Sequence, residues 1–266
     1  MVLAIMAAIT LAIRWPLLGH PVLHVDEQFY ILVADRMWQG DLPYVDIWDR
    51  KPIGLFLIYA ALQSVPGDVV LAVQIAGHLC NAATGVVIWH LSCRRLGVWK
   101  AILPAALYGV WMGVFGGANG QAPVFHNFLV ALAFSLLIRT ARDKRQPDIL
   151  RSGLAAMALI GVAIQIKYTP IFPGLVVGIG FMWLEWTRSE DVVRLLRRSA
   201  AWVSIAMMPT AAALLYYASL GHVGDFAFAN FTSIFLRAPL DDEYIDGLKL
   251  FMTVRGLPLY VLAASG

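Results

Sequence analysis

Two groupings near the start of the chain have the residue types and spacing to do chemistry: Asp26-Glu27, and Asp49-Arg50-Lys51 just ahead of Pro52-Ile53. A carboxylate takes a proton from a hydroxyl as general base, and a guanidinium or ammonium holds a phosphate leaving group. Base and anion clamp together suffice for glycosyl transfer. Neighbours at i and i+1 do not share a helix face. One of Asp26 and Glu27 therefore points into a site while the other caps, pairs or orients, and Asp26 is expected to be the inward member of this catalytic pair. The plainer alternative makes Asp26 a helix N-cap and Lys51 a side chain that snorkels to the headgroups.

Other polar residues fall where they could join such a site. Lys167 ends an apolar run and is followed at once by Tyr168, Thr169 and Pro170, which places a cation at the depth of a lipid phosphate, or else an anchor beside an aromatic belt residue. The stretch Gly116 to Gln121, with Pro123, His126 and Asn127 after it, reads first as a flexible turn. Its Asn119, Gln121, His126 and Asn127 also have sugar-binding chemistry. Arg237 and the acids Asp241, Asp242 and Glu243 close an amphipathic stretch over 230–246 that reads as an interfacial helix able to cover the site.

The elements that position these residues are set by composition. The chain has 266 residues, 60% of them hydrophobic and 14% charged, with a mean hydropathy of +0.71. Soluble domains carry about 25% charged residues, so a soluble globular enzyme, a disordered tail and a coiled coil are all excluded. Apolar runs over about 2–18, 69–93, 98–117, 122–140, 150–168, 170–187 and 199–218 predict seven spans, and an eighth starts near 248. The last run reaches Gly266 without a polar stop, which suggests a longer parent protein.

Basic residues sort the loops. Those around 94–100, 139–151 and 188–198 hold 12 Lys or Arg against 5 acids, and the opposite side holds 12 acids against 6 bases. The positive-inside tendency makes the first set cytoplasmic and the long loops 19–68 and 219–247 extracytoplasmic. The apolar segment Ile53–Val65 is too short to cross, and crossing would upset these counts, so it reads as an interfacial helix. Glu27–Gln39 reads as a second, with Phe29, Tyr30, Val33, Met37 and Trp38 near one face. Cys80 and Cys93 make no disulfide framework, the histidines make no ligand set, and neither a glycine-rich phosphate loop nor a nucleophile elbow is present. No metal site and no nucleic-acid partner is expected, although whether a divalent metal takes part stays open. A donor carried by lipid rather than by a nucleotide is the reading that remains.

These features resemble the GT-C superfamily of membrane glycosyltransferases, in the protein O-mannosyltransferase-like group that includes the bacterial lipid A aminoarabinose transferase. The resemblance rests on Asp26-Glu27 with Gln28-Phe29-Tyr30, on Met37-Trp38-Gln39-Gly40-Asp41, on Lys51-Pro52-Ile53, on Lys167, and on Asn230 to Asp242. It implies one all-α polytopic module over 1–266, with seven transmembrane helices, the start of an eighth and juxtamembrane helices in the outer loops. It further implies Asp26 as the catalytic acidic residue, and Lys51, Lys167 and Arg237 around the donor phosphate, where the residues themselves also offer Arg50. Tyr30, Gln121, His126 and Asn127 are assigned to substrate. The implied reaction is inverting transfer of a sugar from a polyprenyl phosphate to a glycan, lipid or protein acceptor outside a bacterial cytoplasmic membrane. Many relatives have an acid in the third outer turn and read Lys-Pro-Pro where this chain has Lys51-Pro52-Ile53. The competing readings are a transporter of lipid-linked sugars and an inactive membrane subunit. The gathering of charge at one surface, away from the bilayer midplane, speaks against transport.

Overall fold

The computed structural model describes residues 2–20, 25–115, 117, 119–143, 148–236, 245–247, 249–250 and 253–254. Within them the chain is helical, and its extended backbone amounts to one isolated bridge between Pro43 and Ile47. The first helix, α1 (Val2–Arg14), runs into a short 3-10 turn, and two helices follow, α2 (Val25–Trp38) and α3 (Ile53–Gln63). They cover the two segments that the sequence reads as interfacial helices. Next come α4 (Val69–Lys100), α5 (Ile102–Val114), α6 (Ala122–Arg142), α7 (Ile149–Ile164), α8 (Ile171–Ser189) and α9 (Val192–Ser219). Asp68, Asp148 and Asp191 start α4, α7 and α9 by accepting hydrogen bonds from first-turn N–H groups. Near the far end of α4, Gly97 takes a φ of 77° and breaks the helix before α5.

Among the described residues three helices, α4, α6 and α9, have the length and apolarity to cross a bilayer. The other expected spans are helical: α1 and α5 have 13 residues each and α7 has 16, against about 20 residues for a full crossing, while α8 has 19 but ends in polar and charged residues. For α5 the reason is visible. Its end is closed by a Gly117 N–H bond to Met112 O, and Asn119 and Gly120 lie against α4 and α2.

The expected helix over 230–246 takes another form. A helical run starts earlier, as α10 (Val223–Ala227), passes through a π turn (Phe228–Thr232) and ends as α11 (Ser233–Phe235). Arg237, Asp241, Asp242, Glu243 and Tyr244, and most of the expected eighth span, lie outside the described residues.

Three apolar clusters hold the module together. The largest joins α2 and α3 to α4, α6, α9 and α10 through Tyr30, Phe56, Tyr59, Tyr217 and Phe226. A second fills the space among α6, α7, α8 and α9 around Phe181 and Trp202, and a smaller one joins α1, α4 and α5. Large apolar side chains on α8 and α9, including Phe172, Trp183, Leu196 and Leu215, face outward as a lipid-exposed surface requires. At the end of α8 far from α2 and α3, the buried carboxylate of Glu185 pairs with Arg194 and Arg198 of α9.

Candidate functional site

The site gathers where α3 docks on the end of α7. A Cβ on Gly54 would lie 2.7 Å from both Cβ and O of Gln165, so only glycine lets the first turn of α3 come this close. The contact is sealed by the Leu55 N–H, which donates to Gln165 O at 3.2 Å. Lys51 precedes α3 by two residues and Lys167 follows Gln165 by two, so this docking brings the two lysines together. Arg50, Lys51, Lys167, Tyr168 and Ile234 line one cavity of about 360 Å3.

Each wall of that cavity is fixed by a specific bond. The Tyr44 hydroxyl donates to Lys51 O at 2.7 Å, and Tyr44 itself holds a left-handed φ of 73° in the loop between α2 and α3. The Tyr168 hydroxyl donates to Asn230 Oδ1 at 2.7 Å, while the Asn230 amide donates to Phe226 O, which ties the α7–α8 turn to the π turn. Arg50 stacks over Trp48, 5.6 Å from the ring centroid. Burial, and then the neighbouring Lys51, push the Lys167 ammonium below its ordinary pKa, with Asp26 opposing the shift. Burial also raises the Asp49 carboxyl, against the pull of the Arg50 N–H and Lys51. Two cations facing one partly buried cavity make a place where an anion is stabilised.

The two carboxylates at the start of α2 take different positions. Asp26 lies in the first turn of a helix that begins at Val25 and is exposed; the Tyr30 hydroxyl donates toward its Oδ2 at 3.4 Å. Lys167 and Asp49 both feel its charge. Glu27 is 4% exposed and accepts the Gly120 N–H at 3.1 Å, with the Gln121 side chain as a further partner. Burial raises its carboxyl to a pKa of about 7, although Gly120, Gln121 and Arg14 all favour the ionised form.

The remaining expected contacts divide. Gln121 stands beside Glu27. His126 is buried in α6, feels the charge of Lys167, and has no hydrogen-bond partner on either ring nitrogen. Asn127 turns the other way, toward α5, where its amide donates to Met112 Sδ at 3.3 Å. Sequence reasoning missed Arg14 and Tyr44. Arg14 had a usable signal, because a charge inside an apolar run is uncommon.

An apolar groove of about 750 Å3 adjoins the basic cavity. It runs between α3, α7 and α9 past Ile53, Gly54, Ile166 and Tyr216, so Pro52–Ile53 and Ile166–Lys167 separate it from the cations by one peptide unit each. Fold and site together define a multi-pass helical membrane protein with a cationic pocket beside an apolar groove.

A model of the family described as dolichyl-phosphate-mannose-protein mannosyltransferase matches residues 50–217, and the chain belongs to that family of GT-C-type membrane glycosyltransferases. The match takes in Arg50, Lys51 and Lys167 and starts after Asp26 and Glu27. Neither the curated proteins nor the solved structures gave a match.

Proposed function

We propose that this chain is the membrane module of a transferase that moves a sugar from a polyprenyl-phosphate donor to an acceptor hydroxyl on the extracytoplasmic face of a bacterial inner membrane. The observation that carries the reading is the adjacency of the Lys51–Lys167 cavity to the apolar groove beside Ile53 and Ile166, one peptide unit away. A polyprenyl phosphate has the matching order of parts: a phosphate for the cations and an isoprenoid chain for the groove.

In this reading Asp26 takes the proton of the acceptor hydroxyl, whose oxygen attacks the anomeric carbon. The bond from that carbon to the phosphate oxygen breaks, and the negative charge gained by the departing polyprenyl phosphate falls to Lys51 and Lys167, with Arg50 at the rim. Attack opposite the leaving group inverts the anomeric centre. Tyr30 orients Asp26, and Glu27 holds the turn that carries Gln121. The route needs no nucleotide sugar and assigns no metal.

The test supplies the full-length protein in lipid nanodiscs with a panel of polyprenyl-phosphate sugars and follows free polyprenyl phosphate by mass spectrometry. Release that depends on Asp26 is expected. Donor bound but not consumed by the wild-type protein overturns the transferase reading.

A further inference from the structure

A second groove, between α1 and α4, stands apart from the site above. It encloses about 870 Å3 and shares no lining residue with the basic cavity or its neighbouring groove. Its walls are mostly apolar, as with Leu11 and Ile75, and Trp15 stands beside them.

Three polar side chains line the groove, the exposed His20 and the buried Thr10 and His78. Thr10 donates its hydroxyl proton to Met6 O at 3.0 Å and keeps its lone pairs. His78 is 7% exposed, lines the groove, and has no hydrogen-bond partner on either ring nitrogen. Its depth can be placed. Gln74 bonds to Gly19 N and His20 O, where the chain turns after α1, and His78 lies one helical turn beyond Gln74, about 6 Å further along α4.

Bulk acyl chains offer an imidazole nothing, and an unsatisfied polar group in hydrocarbon is costly. The occupant must therefore bring an apolar chain for the groove and a polar group that reaches one turn inside its end. Whichever tautomer the ring takes, it presents one N–H and one lone pair, and Thr10 adds an acceptor. A hydroxyl both donates and accepts, whereas an ionised phosphate or carboxylate only accepts, so hydroxyls are the matching chemistry.

Arg14, at the end of α1, couples the groove to the start of α2. The Arg14 guanidinium lies within electrostatic reach of both His78 and Glu27, the residue next to Asp26.

We infer that the α1–α4 groove binds a membrane glycolipid, with His78 and Thr10 hydrogen-bonded to its hydroxyls, and that this lipid is the acceptor. The acceptor role rests on the transferase reading above; the binding site does not.

The experiment uses the full-length protein in nanodiscs and two photoactivatable probes with the same diazirine acyl chain, one a glucosyl diacylglycerol and the other a phosphatidylcholine. Labelled peptides are mapped by mass spectrometry. The glycolipid probe is expected to label α1 and residues 69–79 at least fivefold above the phosphatidylcholine probe, and unlabelled glycolipid should compete.

His78→Leu should bring labelling down to the phosphatidylcholine level, while His78→Gln, which keeps a donor and an acceptor, should retain most of it. Thr10→Val serves as a second variant should His78→Leu fail to fold. Equal labelling by both probes would mean bulk lipid alone and overturn the site. Selective labelling with no sugar transferred from any of the polyprenyl-phosphate donors onto the glycolipid would leave the site in place and remove its acceptor role. Donor turnover with no selective labelling would leave the transferase reading and remove this one.

Discussion

Arg14 and Glu27 grip the same turn from two helices. Arg14 Nη2 donates to Gly117 O at 3.0 Å, and Glu27 Oε1 accepts from Gly120 N at 3.1 Å. Both side chains are buried, and each feels the other's charge. The turn they hold also presses on α4, where a Cβ on Gly77 would fall 2.0 Å from Asn119 O. One opposite-charge pair thus joins the end of α1, the start of α2 and the approach to α6.

Glu27 gives this clamp a pH dependence. Its carboxyl has a pKa of about 7 in the folded protein against an ordinary 4.5, so the folded state binds more protons than the unfolded one between those values. Stability is then fully present below about 4.5 and is lost as pH rises through about 7, by something of the order of 3 kcal/mol. Thermal unfolding at pH 5 and pH 8 should show the higher midpoint at pH 5, and Glu27→Gln should flatten the difference. An unchanged slope in Glu27→Gln would place the pH dependence elsewhere.

Asp26→Asn separates base from binding. The substitution keeps size and removes basicity, so turnover should fall by about 10²-fold or more while donor affinity stays within a few-fold. Polyprenyl-phosphate release and donor binding, measured on the same sample, check both halves. Wild-type turnover by Asp26→Asn would falsify the base assignment.

The parts of this site that were legible in the sequence are those written in local pattern. Pro52 followed by an apolar run too short to span marked α3, and the face of Phe29, Tyr30 and Val33 marked α2. Lys167 stood out as a cation ending a span. What local pattern does not carry is the meeting of Lys51 with Lys167, because it depends on Gly54 touching Gln165, more than a hundred residues away. The opposite directions of His126 and Asn127 depend on the rotation of α6 against α5, which packing fixes and composition does not. Arg14 went unread because it was absorbed into an apolar run, and the short α5 because Gly117 and Gly120 after it are held by Arg14 and Glu27.

The two lysines should act on donor binding as a pair. Charge-assisted hydrogen bonds to a phosphate contribute about 1.5–3 kcal/mol each, so Lys51→Ala or Lys167→Ala should weaken donor binding roughly 10-fold or more. Because they face one cavity, the double variant should lose less than the product of the single losses. Titration of a polyprenyl-phosphate sugar against all four proteins tests this, and strict additivity would place the lysines at separate sites.

Gly54→Ala tests the geometry without touching a charge. The added methyl would meet the Gln165 backbone at 2.7 Å, and since backbone cannot swing aside as a side chain can, α3 must back away from α7. Overpacking of this kind costs about 1–3 kcal/mol. The displacement should spread the Lys51–Lys167 cavity and weaken donor binding by roughly 10-fold. It should leave the pH dependence of stability intact, because the Arg14–Glu27 clamp lies on other helices. If donor affinity in Gly54→Ala matches the wild type while the melting temperature falls, the docking of α3 on α7 serves stability alone, and the lysines are positioned by the Tyr44–Lys51 and Tyr168–Asn230 bonds instead.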